Sequence, residues 1–199
     1  MASAVDISNT ALSHLGADAV VTSLSPPDGS VEAGHCARFL PIARQAALVT
    51  HNWNFARKRV ALALLTNDSA EWAYKYQLPS DCLRARKILS LDDKDMPERN
   101  GALFDIEGAG IYSNQPLATL VYTTDVTDTT KYPPDFVQGL GMLLAGYLAG
   151  PLIKGSEGMK ISDAWIERGL AIMRRVAAFD ASSAKENSEF TPGSIAVRA

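Results

Sequence analysis

The fold is decided by the stretch from Phe136 to Ile153, which reads FVQGLGMLLAGYLAGPLI and carries no charged residue. Its length approaches that of a membrane span. However, four glycines and one glutamine dilute its hydrophobicity, and no basic cluster or aromatic belt marks both of its ends. Because Phe136, Leu140, Leu143 and Leu144 recur at helical spacing, the pattern favours a helix buried in a core or at an interface over a membrane helix.

A second helical pattern follows, from Ser156 to Ala184. Two adjacent apolar stripes run along it, one of Ile161, Trp165, Ile172, Val176 and Phe179, the other of Ile166, Leu170 and Met173. The opposite face carries acidic and arginine side chains. Such a broad apolar face suits a helix that packs between neighbours.

Two more helices are predicted at the start of the chain, at residues 4–15 and 31–50. Apolar residues share one face in each segment, and Gly16 is a natural stop for the first. Pro41 lies inside the second segment. Since proline removes a backbone donor and crowds the preceding turn, we expect a kink or a restarted helix there.

Between the helical ends, residues 53–124 read as a β region. Alternating runs begin at Trp53 and Trp72, and residues 117–123 form another strand. Residues 83–91 fit either a strand or a short helix, whereas residues 103–112 predict a hairpin around a glycine-rich turn. The sequence therefore predicts an α+β fold: a helical bundle formed by the N- and C-terminal helices, with a small central antiparallel β-sheet.

The composition is that of an ordinary soluble globular chain of 199 residues, with a formal net charge of -3 and a pI near 5.6. A net acidic balance argues against a general nucleic-acid binder. Cys36 and Cys82 are far apart in the sequence and favour two reduced core residues. The N-terminus lacks a basic region followed by an apolar one, so no signal peptide is expected and the protein is predicted to be made in the cytoplasm.

Motifs that carry chemistry are scarce. His14, His35 and His51 fit no zinc-binding spacing, and no phosphate-binding glycine loop or nucleophile elbow is present. The carboxylates at 92, 93 and 95 lack the glycine and distal glutamate of a calcium loop and read as a solvated turn. We therefore expect no catalytic residues, no metal and no cofactor.

One basic and aromatic cluster stands out, Arg57-Lys58-Arg59 beside Trp53 and Phe55. On a strand, Arg57 and Arg59 share one face while Lys58 points away. Such a cluster can contact nucleic acid. A solvated strand face or an ion-pair surface between subunits is the favoured interpretation.

The order of several short motifs resembles the podophage tail tubular protein A family and the related head-to-tail adaptors. The motifs are ALSHLGA at 11–17, ARFLPIAR at 37–44, HNWNFA at 51–56, WAYKYQLPSDCLR at 72–84, VTD at 126–128 and YPPDF at 132–136. Each motif alone is weak, and their order along most of the chain carries the resemblance.

The resemblance implies a non-enzymatic structural subunit of the virion neck. Such a protein forms a ring, usually dodecameric, that docks on the portal protein, extends the DNA channel and receives the tail nozzle or tail tube protein. The genome would pass through without specific binding, and no membrane would be involved. The free protein can stay monomeric until it docks.

Two sets of contact residues are expected. The apolar helices exceed what a small bundle needs, which suggests Gly146, Gly150 and Trp165 as oligomer-interface residues. The chain divides into one adaptor domain at 1–185 and a flexible tail at 186–199. By resemblance to the adaptor branch, the tail reaches the portal through the residues Phe190, Ile195, Val197 and Arg198.

Three rival interpretations stay open. The chain could be another head- or tail-completion protein of the virion, with a different partner. It could be a cell-wall or polysaccharide hydrolase, which requires a carboxylate pair in a cleft deep enough for a glycan. It could also be a membrane protein built around residues 136–153.

Overall fold

The structure, a computed structural model, describes residues 2–18, 20–89 and 101–183. Within those ranges the chain forms four α-helices and two small antiparallel sheets, so the expected α+β class is confirmed. The helices are α1 (Ala4–His14), α2 (Val31–Val49), α3 (Pro134–Ile153) and α4 (Gly155–Ser183). The strands are β1 (Arg57–Ala61), β2 (Leu64–Leu65), β3 (Tyr74–Gln77), β4 (Cys82–Leu89), β5 (Phe104–Glu107), β6 (Gly110–Ser113) and β7 (Thr119–Thr124).

The first two helices begin at serine caps. The Ser3 hydroxyl accepts a hydrogen bond from the Asp6 backbone N–H, and the Asp6 carboxylate accepts one from the Ser3 N–H, which forms a capping box. The Ser30 hydroxyl accepts from the Ala33 N–H in the same way. These side chains satisfy backbone donors that have no partner inside the helix, so each start is set locally by the sequence.

Helix α3 is the centre of the bundle, packed against α1, α2 and α4. Buried residues lie on all of its sides, including Phe136, Leu140, Leu144 and Leu148. By length and composition it is the one helix of the described ranges that could cross a membrane, and 56% of its apolar window is buried inside the fold. A helix that is apolar all round and enclosed by three others is a core helix in this fold, as the sequence predicted.

Glycines let α3 and α4 approach closely. A Cβ atom built on Gly146 would lie 2.6 Å from Ile166 Cγ1, and one built on Gly169 would lie 2.8 Å from Leu143 Cγ. The Ser162 hydroxyl donates a hydrogen bond of 2.8 Å to the Gly146 carbonyl across the same contact. The two helices therefore meet partly through backbone, which larger residues at these positions would prevent.

The β region is two sheets rather than the single sheet expected. One has the strand order β1-β7-β4 and the other β2-β3-β6-β5, with every pairing antiparallel. They enclose a hydrophobic cluster of their own, which consists of Tyr76, Ile88, Ile111, Ala118, Leu120 and Tyr122. We call residues 57–124 the β lobe. The alternation in the sequence did not reveal this split, because strand pairing depends on contacts between residues distant in sequence.

Arginines join the β lobe to the bundle. Arg44 of α2 makes a bidentate ion pair with Asp125, with nitrogen–oxygen distances of 2.8 and 2.9 Å. Arg84 donates to the Val49 carbonyl and Arg86 to the His51 carbonyl, which lie at the end of α2. Carbonyls at a helix end lack intrahelical partners, so these guanidinium groups satisfy them and fix the lobe in place.

Three local expectations are corrected or decided by the structure. The strand expected from Trp53 begins at Arg57 instead, because a 3-10 turn at Asn54–Ala56 precedes it and Trp53 is buried in the helical cluster. Helix α2 continues through Pro41 rather than restarting there. The ambiguous segment at 83–91 is a strand where it is described, since β4 runs from Cys82 to Leu89.

Candidate assembly surfaces

The two glycines predicted at an oligomer interface occupy different environments. Gly146 is buried against Ile166 and Ser162 of the chain's own α4, so its small size serves packing within one subunit. Gly150 is exposed, and a Cβ atom built on it would meet no atom within 4 Å apart from those of its chain neighbours and of its own helix backbone. Of the pair, Gly150 is therefore the residue that a neighbouring subunit could reach.

Trp165, the third predicted interface residue, is half-buried on the surface between α1 and α4. His14 stacks on its ring with centroids 4.6 Å apart, and the Arg168 guanidinium lies 5.1 Å from the ring centroid. Burial lowers the pKa of the His14 imidazole. The stack ties α1 to α4 and leaves part of the indole open to solvent.

The predicted portal contacts Phe190, Ile195, Val197 and Arg198 lie outside the described residues, as do the carboxylates at 92, 93 and 95. The prediction that residues 186–199 reach the portal therefore stays a prediction.

The basic motif Arg57-Lys58-Arg59 lies on β1, an edge strand that pairs with β7 alone among the described strands. All three side chains are exposed. Lys58 is opposite Tyr122 and belongs to the face of the sheet that covers the β-lobe cluster. Arg57 and Arg59 occupy the other face, and their guanidinium groups make no ion pair with the described part of the chain.

Lys58 belongs to a polar network around Asp81. The Asp81 carboxylate accepts hydrogen bonds from Lys58 Nζ at 2.7 Å, from the Tyr122 hydroxyl at 2.8 Å and from the Thr124 hydroxyl at 3.0 Å. The pKa of Asp81 is lowered to about 2, and the hydrogen bond from the Lys58 ammonium is the largest cause. The network crosses the loop before β4 and two strands, so it holds this part of the lobe together.

Replacement of Asp81 by asparagine is expected to reduce the loss of the free energy of unfolding as the pH falls below 4. The folded-state pKa of about 2 lies below the ordinary 3.8, so the carboxylate contributes stability above pH 3.8 that is lost as the pH falls towards 2. Since 39% of the Asp81 side chain is exposed, solvent screening limits the contribution to about 1 kcal/mol or less. Urea unfolding of both proteins between pH 2 and 7 checks this, and parallel curves would contradict it.

An apolar tip forms one end of the β lobe, where Leu103 and Leu117 are 82% and 83% exposed. A chain of hydrogen bonds leads from the Leu103 carbonyl to Gln115, two residues before Leu117. The Ser113 hydroxyl donates to the Leu103 carbonyl and accepts from the Gln115 N–H, and the Gln115 carbonyl accepts from the Tyr76 hydroxyl. The backbone under the tip is therefore ordered while both leucine side chains face solvent.

The sequence did not reveal this tip. The alternation predicted that Leu117 begins a strand, but β7 begins at Thr119 and Leu117 adopts a φ of 51° in the turn before it. A positive φ is uncommon for a residue with a branched side chain and is worth attention when the residue is also exposed. The one signal available was the preceding Pro116, which ends a strand pattern.

A groove of about 270 Å³ lies between the end of α2 and α4. Its lining consists of Thr50, His51, Leu170, Met173, Arg174 and Ala177. None of these is a carboxylate, although His51 Nε2 lies 3.5 Å from Asp180 Oδ2 beside the groove. Within the described ranges no three potential metal ligands come together. The groove therefore lacks the carboxylate pair that glycan hydrolysis requires.

No protein-family model matches this chain, and no curated protein matches it in sequence. A functional assignment therefore depends on the surfaces of the chain itself. Those surfaces are the apolar tip, the charged strand edges of the β lobe, and the exposed Gly150 at the end of α3.

Proposed function

We propose that this protein is a ring-forming adaptor of a tailed-phage head-to-tail connector, which docks on the portal and receives the tail. The apolar tip carries the proposal. Leu103 and Leu117 are almost fully exposed and are not part of the hydrophobic cluster of the β lobe. They therefore contribute little to the stability of the isolated chain. Where exposed apolar side chains lie together in one patch, the patch is typical of a surface that binds another protein.

The joint between the lobe and the bundle also supports an assembly role. Arg84 and Arg86 fix the lobe to the end of α2 through charge-assisted hydrogen bonds, and Arg44 on α2 binds Asp125, the residue that follows β7. Such bonds are stronger and more directional than neutral ones. A lobe that is fixed in this way presents its tip at a constant angle, as a subunit in a closed ring must.

The proposal predicts that the purified protein binds the portal protein encoded by the same genome. The mass of the protein is measured alone and after mixing with the portal by light scattering on a sizing column. We expect a complex in which the copy number of this protein matches that of the portal ring. A protein that never joins the portal at any concentration would contradict the adaptor function.

The tip is tested in the same experiment with Leu103→Asp combined with Leu117→Asp. Loss of two central apolar contacts is expected to weaken binding to the portal or to the tail protein by about 30-fold or more. Met159→Asp is the matched control, because Met159 is an exposed apolar residue on α4, away from the β lobe. If the double variant binds both partners normally, the tip is not an assembly surface.

A further inference from the structure

Two of the four edge strands among the described strands of the β lobe, β1 and β5, carry charges of opposite sign. β1 is an edge of one sheet and β5 an edge of the other among the described strands. On β1, Arg57 and Arg59 are exposed on one face, and on β5, Asp105 and Glu107 are exposed on one face. Alternate residues of a strand are about 6.8 Å apart, so the two positive charges and the two negative charges have the same spacing.

From this match we propose that β1 of one copy pairs with β5 of a second copy. The charges oppose pairing of either strand with its own copy, because β1 beside β1 brings arginines together and β5 beside β5 brings carboxylates together. Strand addition at a sheet edge combines backbone hydrogen bonds with side-chain selection, and edges without a partner are otherwise a liability. The inference rests on the proposed ring-forming function and identifies its subunit contact.

The backbone of β1 shows which of its groups are free. The Leu62 N–H donates to the Ala118 carbonyl, so Leu62 and every second residue before it are bonded to β7. The backbone of Arg59 therefore points towards the free edge. The Arg57 carbonyl points there too, while the Arg57 N–H donates to the Asn54 carbonyl.

The backbone of β5 has the opposite alternation. The Leu78 N–H donates to the Ala109 carbonyl, so Ile111, two residues further along β6, also bonds to β3. The residues on either side of Ile111 therefore bond to β5. The free-edge groups of β5 therefore belong to Phe104 and Ile106. The Ile106 N–H donates to the Asp105 carboxylate at 2.8 Å, a local bond that occupies the position a neighbouring strand would take.

These alternations select a parallel pairing. In an antiparallel pair, residues with free backbone groups lie opposite each other, which would set Arg59 against Phe104 or Ile106. In a parallel pair, a residue whose backbone N–H and C=O bond to the neighbouring strand lies opposite a residue whose backbone groups point away from that strand. Arg57 then lies opposite Asp105 and Arg59 opposite Glu107, with all four side chains on one face. Because the two edges differ, the contact is heterologous and generates a ring when the rotation closes.

Charge reversal tests the pairing. The first variant combines Arg57→Glu with Arg59→Glu, and the second combines Asp105→Lys with Glu107→Lys. Each alone is expected to weaken self-association by at least about 100-fold, since it places like charges opposite each other. An equimolar mixture of the two variants is expected to associate again, because each reversed edge then faces its complement. Sedimentation equilibrium at low salt measures all three samples.

A charge-matched control and a disulfide cross-linking experiment complete the test. Lys160→Glu with Arg175→Glu changes the net charge equally on exposed α4 positions and is expected to associate like the original protein. In a Cys82→Ser background, Arg59→Cys chains mixed with Glu107→Cys chains are expected to form a disulfide-linked dimer. Lys58→Cys chains are not expected to link to Glu107→Cys chains, because Lys58 points to the other face. Equal linking in both mixtures, no linking in either, or no restoration on mixing the reversed variants would overturn the pairing.

Failure of this contact is distinguishable from failure of the adaptor function. Reversed variants that still form full rings on the portal would reject the β1–β5 pairing and leave the adaptor function standing. A protein that pairs through β1 and β5 but ignores the portal would show the reverse. Binding of the original protein to duplex DNA that is lost with Arg57→Glu and Arg59→Glu, without self-association, would assign the basic edge to nucleic acid and reject the pairing.

Discussion

Phe136→Ala is expected to destabilise the protein by about 3–5 kcal/mol, the range for removing a buried phenylalanine ring. Phe136 is fully buried, and its ring lies 4.9 Å from Phe55, 5.1 Å from Tyr132 and 5.3 Å from Trp53, measured between centroids. These aromatic residues come from the chain entering β1 and from the start of α3. Their loss therefore weakens the junction where the β lobe meets the bundle as well as the helical core.

The measurement is equilibrium unfolding in urea, followed by tryptophan fluorescence and by far-ultraviolet circular dichroism. Phe136→Leu is the matched control, because leucine keeps most of the apolar volume and is expected to cost less than half as much. A loss below about 1 kcal/mol for alanine would show that Phe136 is not a central core residue.

Gly146→Leu is expected to destabilise the isolated chain by about 3 kcal/mol, the upper part of the range for overpacking a close contact. The first side-chain carbon would already lie 2.6 Å from Ile166 Cγ1 and 3.1 Å from both the Ile166 nitrogen and the Ser162 oxygen. Backbone atoms cannot move aside as a side chain can, so α3 and α4 must separate. Their separation also lengthens the hydrogen bond from Ser162 to the Gly146 carbonyl.

Gly150 supplies the control four residues later on the same helix. Gly150→Ala is expected to change stability by less than about 1 kcal/mol, because the helix preference of alanine is opposed by the restriction that the following Pro151 places on a residue with a Cβ atom. Thermal unfolding of both variants at low protein concentration compares them without assembly. If Gly146→Leu leaves the melting temperature unchanged, the close packing of α3 and α4 is wrong.

The same pair of glycines separates folding from assembly. A larger residue at Gly150, such as leucine, is expected to leave the monomer folded and tests the predicted interface role by sizing-column mass with the portal present. Gly146 cannot be tested in this way, since any larger side chain disturbs the bundle first. Gly150 and Trp165 are therefore the predicted interface residues that assembly experiments can address directly.

The helices could be predicted from the sequence because their signals are local. Apolar spacing of three and four residues, serine caps and a terminal glycine act within a few turns, and the observed bounds of α1 to α4 lie within about two residues of the predicted segments. The hairpin of β5 and β6 was predictable for the same reason, since its turn and both strands lie within ten residues of each other.

The sequence by itself thus determined the α+β class, the helical ends and the role of residues 136–153 as a buried helix. Only the tertiary structure decided that the β region splits into two sheets and that Trp53 belongs to the helical core. It also decided that Gly146 packs against α4 of its own subunit while Gly150 is exposed. It further decided that Leu103 and Leu117 face solvent and that Arg57 and Asp105 lie on edge strands of the described sheets. The physical reason is that a helix satisfies its hydrogen bonds within itself, whereas strand pairing, burial and edge position depend on residues far apart in the chain.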